Sequence, residues 1–265
     1  LSTLVLEHLK HTNASSNNIT LAADGSLTVD TSVLHVDATN NRVGIGTTSP
    51  TQSLETTGSI FVNSSGNPFL EVKTSGAGNN PFIRIKADTN YWDVQSLFSN
   101  TNDELDFRYN GASKMMIDST GRVTKPNQPS FYAYPSGNQA YPINQWNTVQ
   151  FNTISWNIGG HYNTSNYRWT VPVAGKYLIN WMLQLENTNQ PNWIYAYPIV
   201  NGNRNTDRSR GKSFSDFKVF PTYHTESGSW IMNLSANDYV TFDIYTPDSN
   251  KQFKAESHWS GILLG

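Results

Sequence analysis

Asn41-Arg42-Val43-Gly44-Ile45-Gly46-Thr47-Thr48-Ser49-Pro50 sets two glycines one residue apart, ahead of three hydroxyl side chains. Such a run could cradle a phosphate with backbone N–H groups at the start of a helix. The partners that this chemistry needs are missing. A P-loop requires Lys directly after its second glycine, where this chain has Thr47. A dinucleotide fingerprint requires a third glycine and a following helix, and Ser49-Pro50 and the next residues supply neither. The glycines therefore read as structural, with Val43 and Ile45 facing inward and neighbouring chains approaching the backbone at Gly44 and Gly46.

The other chemical constellations are thin. Glu104 and Asp106 share a strand face, as a glycosidase carboxylate pair would. Arg108 follows on that face, so the group reads as a surface charge cluster. The histidines are His8, His11, His35, His161, His224 and His258, and only the first two are near each other. On a strand those two point to opposite faces, so no metal is expected. No nucleophile-elbow motif is present. The absence of cysteine excludes disulfides, zinc thiolates and thiol catalysis. The chain is expected not to be an enzyme.

The elements that carry these residues are strands. Charged residues make up 14% of the chain, against roughly 25% in ordinary domains, and asparagine supplies 31 of the 265 positions. Asn, Gly, Ser and Thr disfavour helix interiors, while Thr, Val, Ile and the aromatics suit strands. The expectation is all-β and turn-rich. A net charge of −2 gives no support to nucleic-acid binding. No run is apolar enough for a signal peptide or a membrane span. The chain begins at Leu1 without an initiator methionine, as the distal part of a longer protein would.

Three segments follow from texture. Residues 1–65 read as a β-hairpin stem. Leu34–Asp37 turning through Asn40-Asn41 into Arg42-Val43 is one hairpin, and Met115–Asp118 turning into Arg122-Val123 repeats the pattern further on. Ile19–Val29 is a shorter version. Such strands are too short to be stable singly and must stack on one another or on neighbouring chains. Residues 66–126 read as a small β module with strands at Phe69–Val72, Phe82–Ile85, Trp92–Val94 and Leu105–Tyr109. Lys125-Pro126-Asn127-Gln128-Pro129 is the clearest linker.

Residues 127–265 read as a jelly-roll β-sandwich head. Seven of the eight tryptophans lie there. Tyr177, Ile179, Trp181, Leu183 and Leu185 alternate along one strand and define a core face. Val240–Ile244 alternates cleanly.

Trp169-Thr170-Val171-Pro172-Val173-Ala174-Gly175-Lys176-Tyr177 resembles the aromatic-x-x-Pro-x-x-Gly-x-Tyr signature of the complement-1q-type globular head, one of the tumour-necrosis-factor-like jelly rolls. Leu234–Val240 resembles its Leu-x-x-Gly-Asp-x-Val corner, and Ser257–Leu264 its closing strand. Ser130–Ala133 stands where that family has its opening strand. Trp169 and Trp259 replace the usual Phe, and Asn237 replaces Gly, the best such substitute where φ is positive. The resemblance implies a homotrimer, with Tyr177, Trp181, Trp259, Ile262 and Leu264 in the core or near the threefold axis. Some relatives of this head hold calcium on that axis. No residue here is assigned to calcium, and no other cofactor is expected. Asn41–Pro50, followed by Leu54-Glu55 and Gly58-Ser59-Ile60, resembles the shafts of bacteriophage tail fibres and tailspikes, which implies a β-prism-like trimeric stem. Many such shafts end in a self-cleaving chaperone. A different head follows here, so no protease is carried over.

Two groups in the head could carry binding. The loops bearing Tyr141, Trp146, Trp156, His161, Tyr162 and Trp193 combine rings with amides, as sugar recognition requires. Residues 203–212 place Arg204, Arg208, Arg210 and Lys212 where phosphate or uronate groups could pair with them. The expectation is a virion tail fibre, extracellular, joined to other tail proteins and attaching through host cell-surface glycans without membrane insertion. The alternatives are a structural trimerisation cap or neck fibre, and a depolymerase.

Overall fold

Short apolar alternations separated by Asp, Asn and Gly pair into sheets because none buries a face by itself. The computed structural model describes residues 8–9, 12, 19–29, 33–63, 65–66, 69–75, 79–98, 103–187, 193–203, 212–215, 223–246 and 251–265. Their regular structure is all strand, as the composition predicts. The chain divides into two compact units, Leu1–Val72 and Lys73–Gly265.

The first unit contains β1 (His8–Leu9), β2 (Ile19–Leu21), β3 (Leu27–Val29), β4 (Leu34–Asp37), β5 (Arg42–Ile45) and β6 (Leu54–Thr56), side by side in chain order. Strands β1 to β5 are antiparallel, and β6 runs parallel to β5 with Leu54 opposite Val43. The predicted turn chemistry is in place. The Asn40 backbone N–H and side-chain amide donate to Asp37 at 3.0 and 2.8 Å, and Asn41 takes φ 54°. These bonds, the Asn40 amide foremost, hold the Asp37 carboxyl below the usual carboxylate range.

Gly44 and Gly46 correct one expectation. A Cβ on Gly44 would overlap the Thr47 carbonyl oxygen, and one on Gly46 would overlap the Thr57 hydroxyl. The crowding comes from the chain's own Thr47 and from Thr57 just after β6, which lies parallel beside β5. Gly44 is the buried residue of β5, while Ile45 is exposed rather than inward. Phe69–Val72, expected as a strand, belongs to none, and Phe69 and Leu70 are exposed.

The second unit begins with an antiparallel meander: β7 (Phe82–Ala87), β8 (Asn90–Phe98), β9 (Asp103–Tyr109), β10 (Ala112–Asp118) and β11 (Val123–Thr124). Asp106 and Arg108 lie on one face, but the surface-cluster reading fails for Asp106, which is wholly buried. The Ser113 hydroxyl donates to it at 2.7 Å, and Arg108 Nε lies 3.6 Å away. These two groups hold the buried carboxylate in place.

The head contains two antiparallel sheets. The first has seven strands: β12 (Ser130–Tyr134), β13 (Gln139–Ala140), β15 (Thr153–Ile158), β18 (Gly175–Asn187), β21 (Tyr223–Leu234), β23 (Lys251–Phe253) and β24 (His258–Leu263). The second has six: β14 (Gln145–Thr148), β16 (Tyr162–Asn163), β17 (Arg168–Thr170), β19 (Trp193–Val200), β20 (Lys212–Ser215) and β22 (Tyr239–Thr246). Aromatic rings lock them together. Phe131 meets Trp259 at 4.8 Å and Trp169 at 4.9 Å, and Trp169 meets Tyr177 edge-on at 4.9 Å. Both substituting tryptophans are fully buried. Gly261 makes room for this cluster, since a Cβ there would lie 2.7 Å from Phe131 and 3.1 Å from Trp169. Asn237 holds φ 68° at the corner before β22, as expected of a glycine substitute.

Candidate binding surfaces of the head

Strand pairing decides which side chains leave the core. In the six-stranded sheet, Val240, Phe242 and Ile244 point inward and are fully buried. The alternate residues form two rows on the outer face. Trp146, Tyr245 and Tyr195 stand opposite one another across β14, β22 and β19. Thr148, Asp243 and Tyr197 form the row beside them. Trp146 lies 5.5 Å from Tyr197, 5.6 Å from Tyr245 and 6.4 Å from Tyr195, ring centre to ring centre. Beneath the rings, Thr148 Oγ1 donates to Asp243 Oδ1 at 2.8 Å, and Asp243 is only 1% exposed. Trp146, Tyr195 and Tyr245 are partly exposed. Ring faces beside phenol hydroxyl tips can stack on an apolar ring face and hydrogen-bond to hydroxyl groups.

The seven-stranded sheet shows a different outer face. Ile231, Leu178, Ile262, Ser130 and Ile158 form one row across β21, β18, β24, β12 and β15. Four of the five are aliphatic, and Ile231 is 67% exposed. The next row is Ser229, Asn180, Ser260, Tyr132 and Trp156. Tyr132 packs on Trp156 at 4.8 Å and stacks on His258 at 5.0 Å.

The predicted site residues scatter over these environments. Trp146 lies in the aromatic patch. Trp156 lies in strand β15 beside the aliphatic row, on the opposite sheet, so it is not a neighbour of Trp146. Tyr162 is a correction: it is buried, stacks on Phe131 at 4.9 Å, and donates to the Phe151 carbonyl at 2.8 Å. Burial pushes its phenol up. Tyr141 is also committed internally. It meets Phe253 edge-on, donates to Gln139 Oε1 and accepts from the Gln150 N–H at 2.8 Å. His161 lies half-buried over Gly159. Trp193 and Lys212 open β19 and β20, and their side chains are outside the described residues, as are Arg204, Arg208 and Arg210 in full. Tyr177, Trp181 and Trp259 are core, whereas Ile262 and Leu264 are exposed. Among the described residues, no three His, Asp or Glu side chains converge as a metal site.

The residues missed in the sequence are Tyr195, Tyr197, Tyr245, Thr148 and Asp243. The alternation Ile194-Tyr195-Ala196-Tyr197 is visible, but it does not say which face is core. Here Ile194 and Ala196 take the inside.

The C1q domain family model matches residues 130–264, which are the whole of this sandwich. The chain belongs to the C1q domain family. C1q domains form homotrimers. Solved structures similar to this C1q chain include the globular domain of zebrafish complement 1qA protein, with 16% identity, 52% of this chain and 98% of that chain covered, and a TM-score of 0.40. Eiger TNF from S. frugiperda is similar at 12% identity, with 52% and 91% covered and a TM-score of 0.37. Murine APRIL is similar at 13% identity, with 52% and 99% covered and a TM-score of 0.37. No curated protein matches the chain.

Proposed function

We propose that the chain belongs to a trimeric viral fibre, which attaches a particle to a cell surface through the C1q head, with envelope glycans as ligand. The observation that carries this reading is the patch of Trp146, Tyr195, Tyr197 and Tyr245 over Thr148 and Asp243. It lies on the sheet opposite the aliphatic row, so a homotrimer closed through Leu178, Ile231 and Ile262 leaves all three patches outward. The shaft-like sequence of the first 65 residues supports the fibre.

The mechanism needs no bond chemistry. A single sugar site of this kind binds with a Kd of about 1 mM, roughly −4 kcal/mol. Three sites per head, engaged together, raise the apparent affinity by roughly 10²–10⁴ without new contacts. Rigid rings lose little entropy on binding, which suits a weak repeated contact.

The test is Trp146→Ala in the full chain, measured by adsorption to host envelopes alongside a light-scattering mass. Lost adsorption with an unchanged trimer mass supports attachment through this patch. Unchanged adsorption makes the head a structural cap. Shortened envelope polysaccharide after incubation with the fibre would make it a depolymerase.

A further inference from the structure

The five-stranded sheet β7–β11 has two unlike faces. One is polar and extensively hydrogen-bonded within the sheet, although Asp106 Oδ1 and Arg108 Nε find no hydrogen-bond partner. Arg84 Nε and Nη2 donate to Asp93 at 2.8 and 3.0 Å, Arg108 Nη1 donates to Gln95 at 3.1 Å, and Ser113 donates to Asp106. Register places Arg84, Asp93, Arg108 and Ser113 in one row across four strands, with Gln95 and Asp106 paired beside it. Arg84 also covers the Tyr91 ring at 3.9 Å.

The other face is apolar. Ile83, Val94, Phe107 and Met115 form one row across β7 to β10. Ile85, Trp92 and Tyr109 form the row on one side, and Leu105 with Ile117 continues the face on the other. Ile85 is 65% exposed and Ile83 52%, and Trp92 and Leu105 are also exposed. A sheet with one apolar face buries it against another layer. In a single chain this one does not.

We propose that this face is a second self-association surface, buried against the same face of two further copies of the chain in a three-sided prism about the axis of the head. This rests on the homotrimer proposed above. Two observations select that occupant. Only residues 125–129 separate β11 from β12, and they are tied to the head: Gln128 Nε2 donates to the Leu263 carbonyl at 2.6 Å, and the Leu263 N–H donates to that of Pro129 at 3.1 Å. Leu263 lies between Ile262 and Leu264 at the aliphatic face, so three sheets are delivered beside one threefold axis. The ion-paired faces suit the outside of such a prism, where water meets the Arg84 and Arg108 heads. Closed threefold symmetry lets one apolar surface satisfy itself in every copy.

The chain has no cysteine, so single introduced thiols report on proximity without background. Leu105→Cys on central strand β9 and Met115→Cys on β10 are each made in the full chain, with Glu104→Cys on the polar face as control. The expected result under mild oxidation is a covalent dimer on a non-reducing gel for at least one apolar-face variant and none for the control. Two of three chains can pair, so about a third remains monomeric. A light-scattering trimer in which neither apolar-face variant crosslinks, or in which Glu104→Cys crosslinks equally, overturns the prism and leaves the head trimer standing. A monomeric mass for the unmodified chain overturns both.

Discussion

Ile262 on β24 stands directly opposite Leu178 on β18, and both point away from the core of the head. With Ile231 and Ile158 they make an aliphatic row that a single chain leaves open to water. Replacing Ile262 with Lys puts an ammonium in the middle of that row. Burying an unpaired charge costs several kcal/mol, far more than loss of one aliphatic contact. Ile262→Lys is expected to give a folded head of monomeric mass, with unchanged far-UV circular dichroism. A trimer of unchanged mass would move the interface elsewhere.

Gly261, the next residue back along β24, faces inward. The Cβ of an alanine there meets Phe131 at 2.7 Å, Ile179 at 3.1 Å and Trp169 at 3.1 Å. The two rings belong to a packed aromatic cluster and cannot swing away. Gly261→Ala is expected to destabilise by about 1–3 kcal/mol through overpacking. The urea midpoint of unfolding measures it.

Asn237 holds φ 68° while its N–H donates to the Val171 carbonyl at 2.8 Å, so the turn is anchored and cannot relax. Ala at this position suffers Cβ strain that Gly does not. Asn237→Ala is expected to lose about 1 kcal/mol or more, and Asn237→Gly to stay near the parent. Equal thermal midpoints for the two variants would contradict a role for backbone strain here.

Asp118 closes the β10–β11 turn. Its carboxylate accepts from the Thr120 hydroxyl at 2.7 Å, the Thr120 N–H at 2.9 Å, the Arg122 N–H at 2.9 Å and Arg122 Nε at 2.6 Å. The Thr120 hydroxyl first, then Arg122, hold its carboxyl well below its ordinary value of 3.8. A depressed folded pKa stabilises the turn fully above that ordinary value, and the contribution fades only as pH falls toward the folded pKa. The Asp118 carboxyl is therefore expected to titrate well below 3.8, as followed by NMR. Titration near 3.8 would mean that the turn bonds do not persist in solution.

Trp156 and Tyr162 show where reading the sequence ended. Both belong to one aromatic, amide-rich stretch, and both look equally suited to a ligand. Asn157 separates them: its amide donates to the Tyr162 carbonyl at 2.9 Å and accepts the Tyr162 N–H at 3.0 Å. That clasp turns Tyr162 into the core, while Trp156 remains on the outer face of β15. No local pattern distinguishes the two rings, because the difference arises from which sheet each strand joins. The same holds for Tyr195 and Tyr197, whose small neighbour Ala196 takes the inside position.

Local chemistry alone determined most of the strands, the Asp-Asn and Asp-Gly turns and the buried face of Tyr177 to Leu185, and the family resemblance supplied the left-handed corner at Asn237. Each depends on residues within a few positions of one another, where side-chain alternation and φ preference act directly. Tertiary structure decided which face of β19 and β22 is outer, and that Asp106 is buried. It also decided that Gly44 and Gly46 accommodate Thr47 and Thr57 of their own chain. Those outcomes depend on strand pairing and loop return, which set what packs against a residue after its own conformation is chosen.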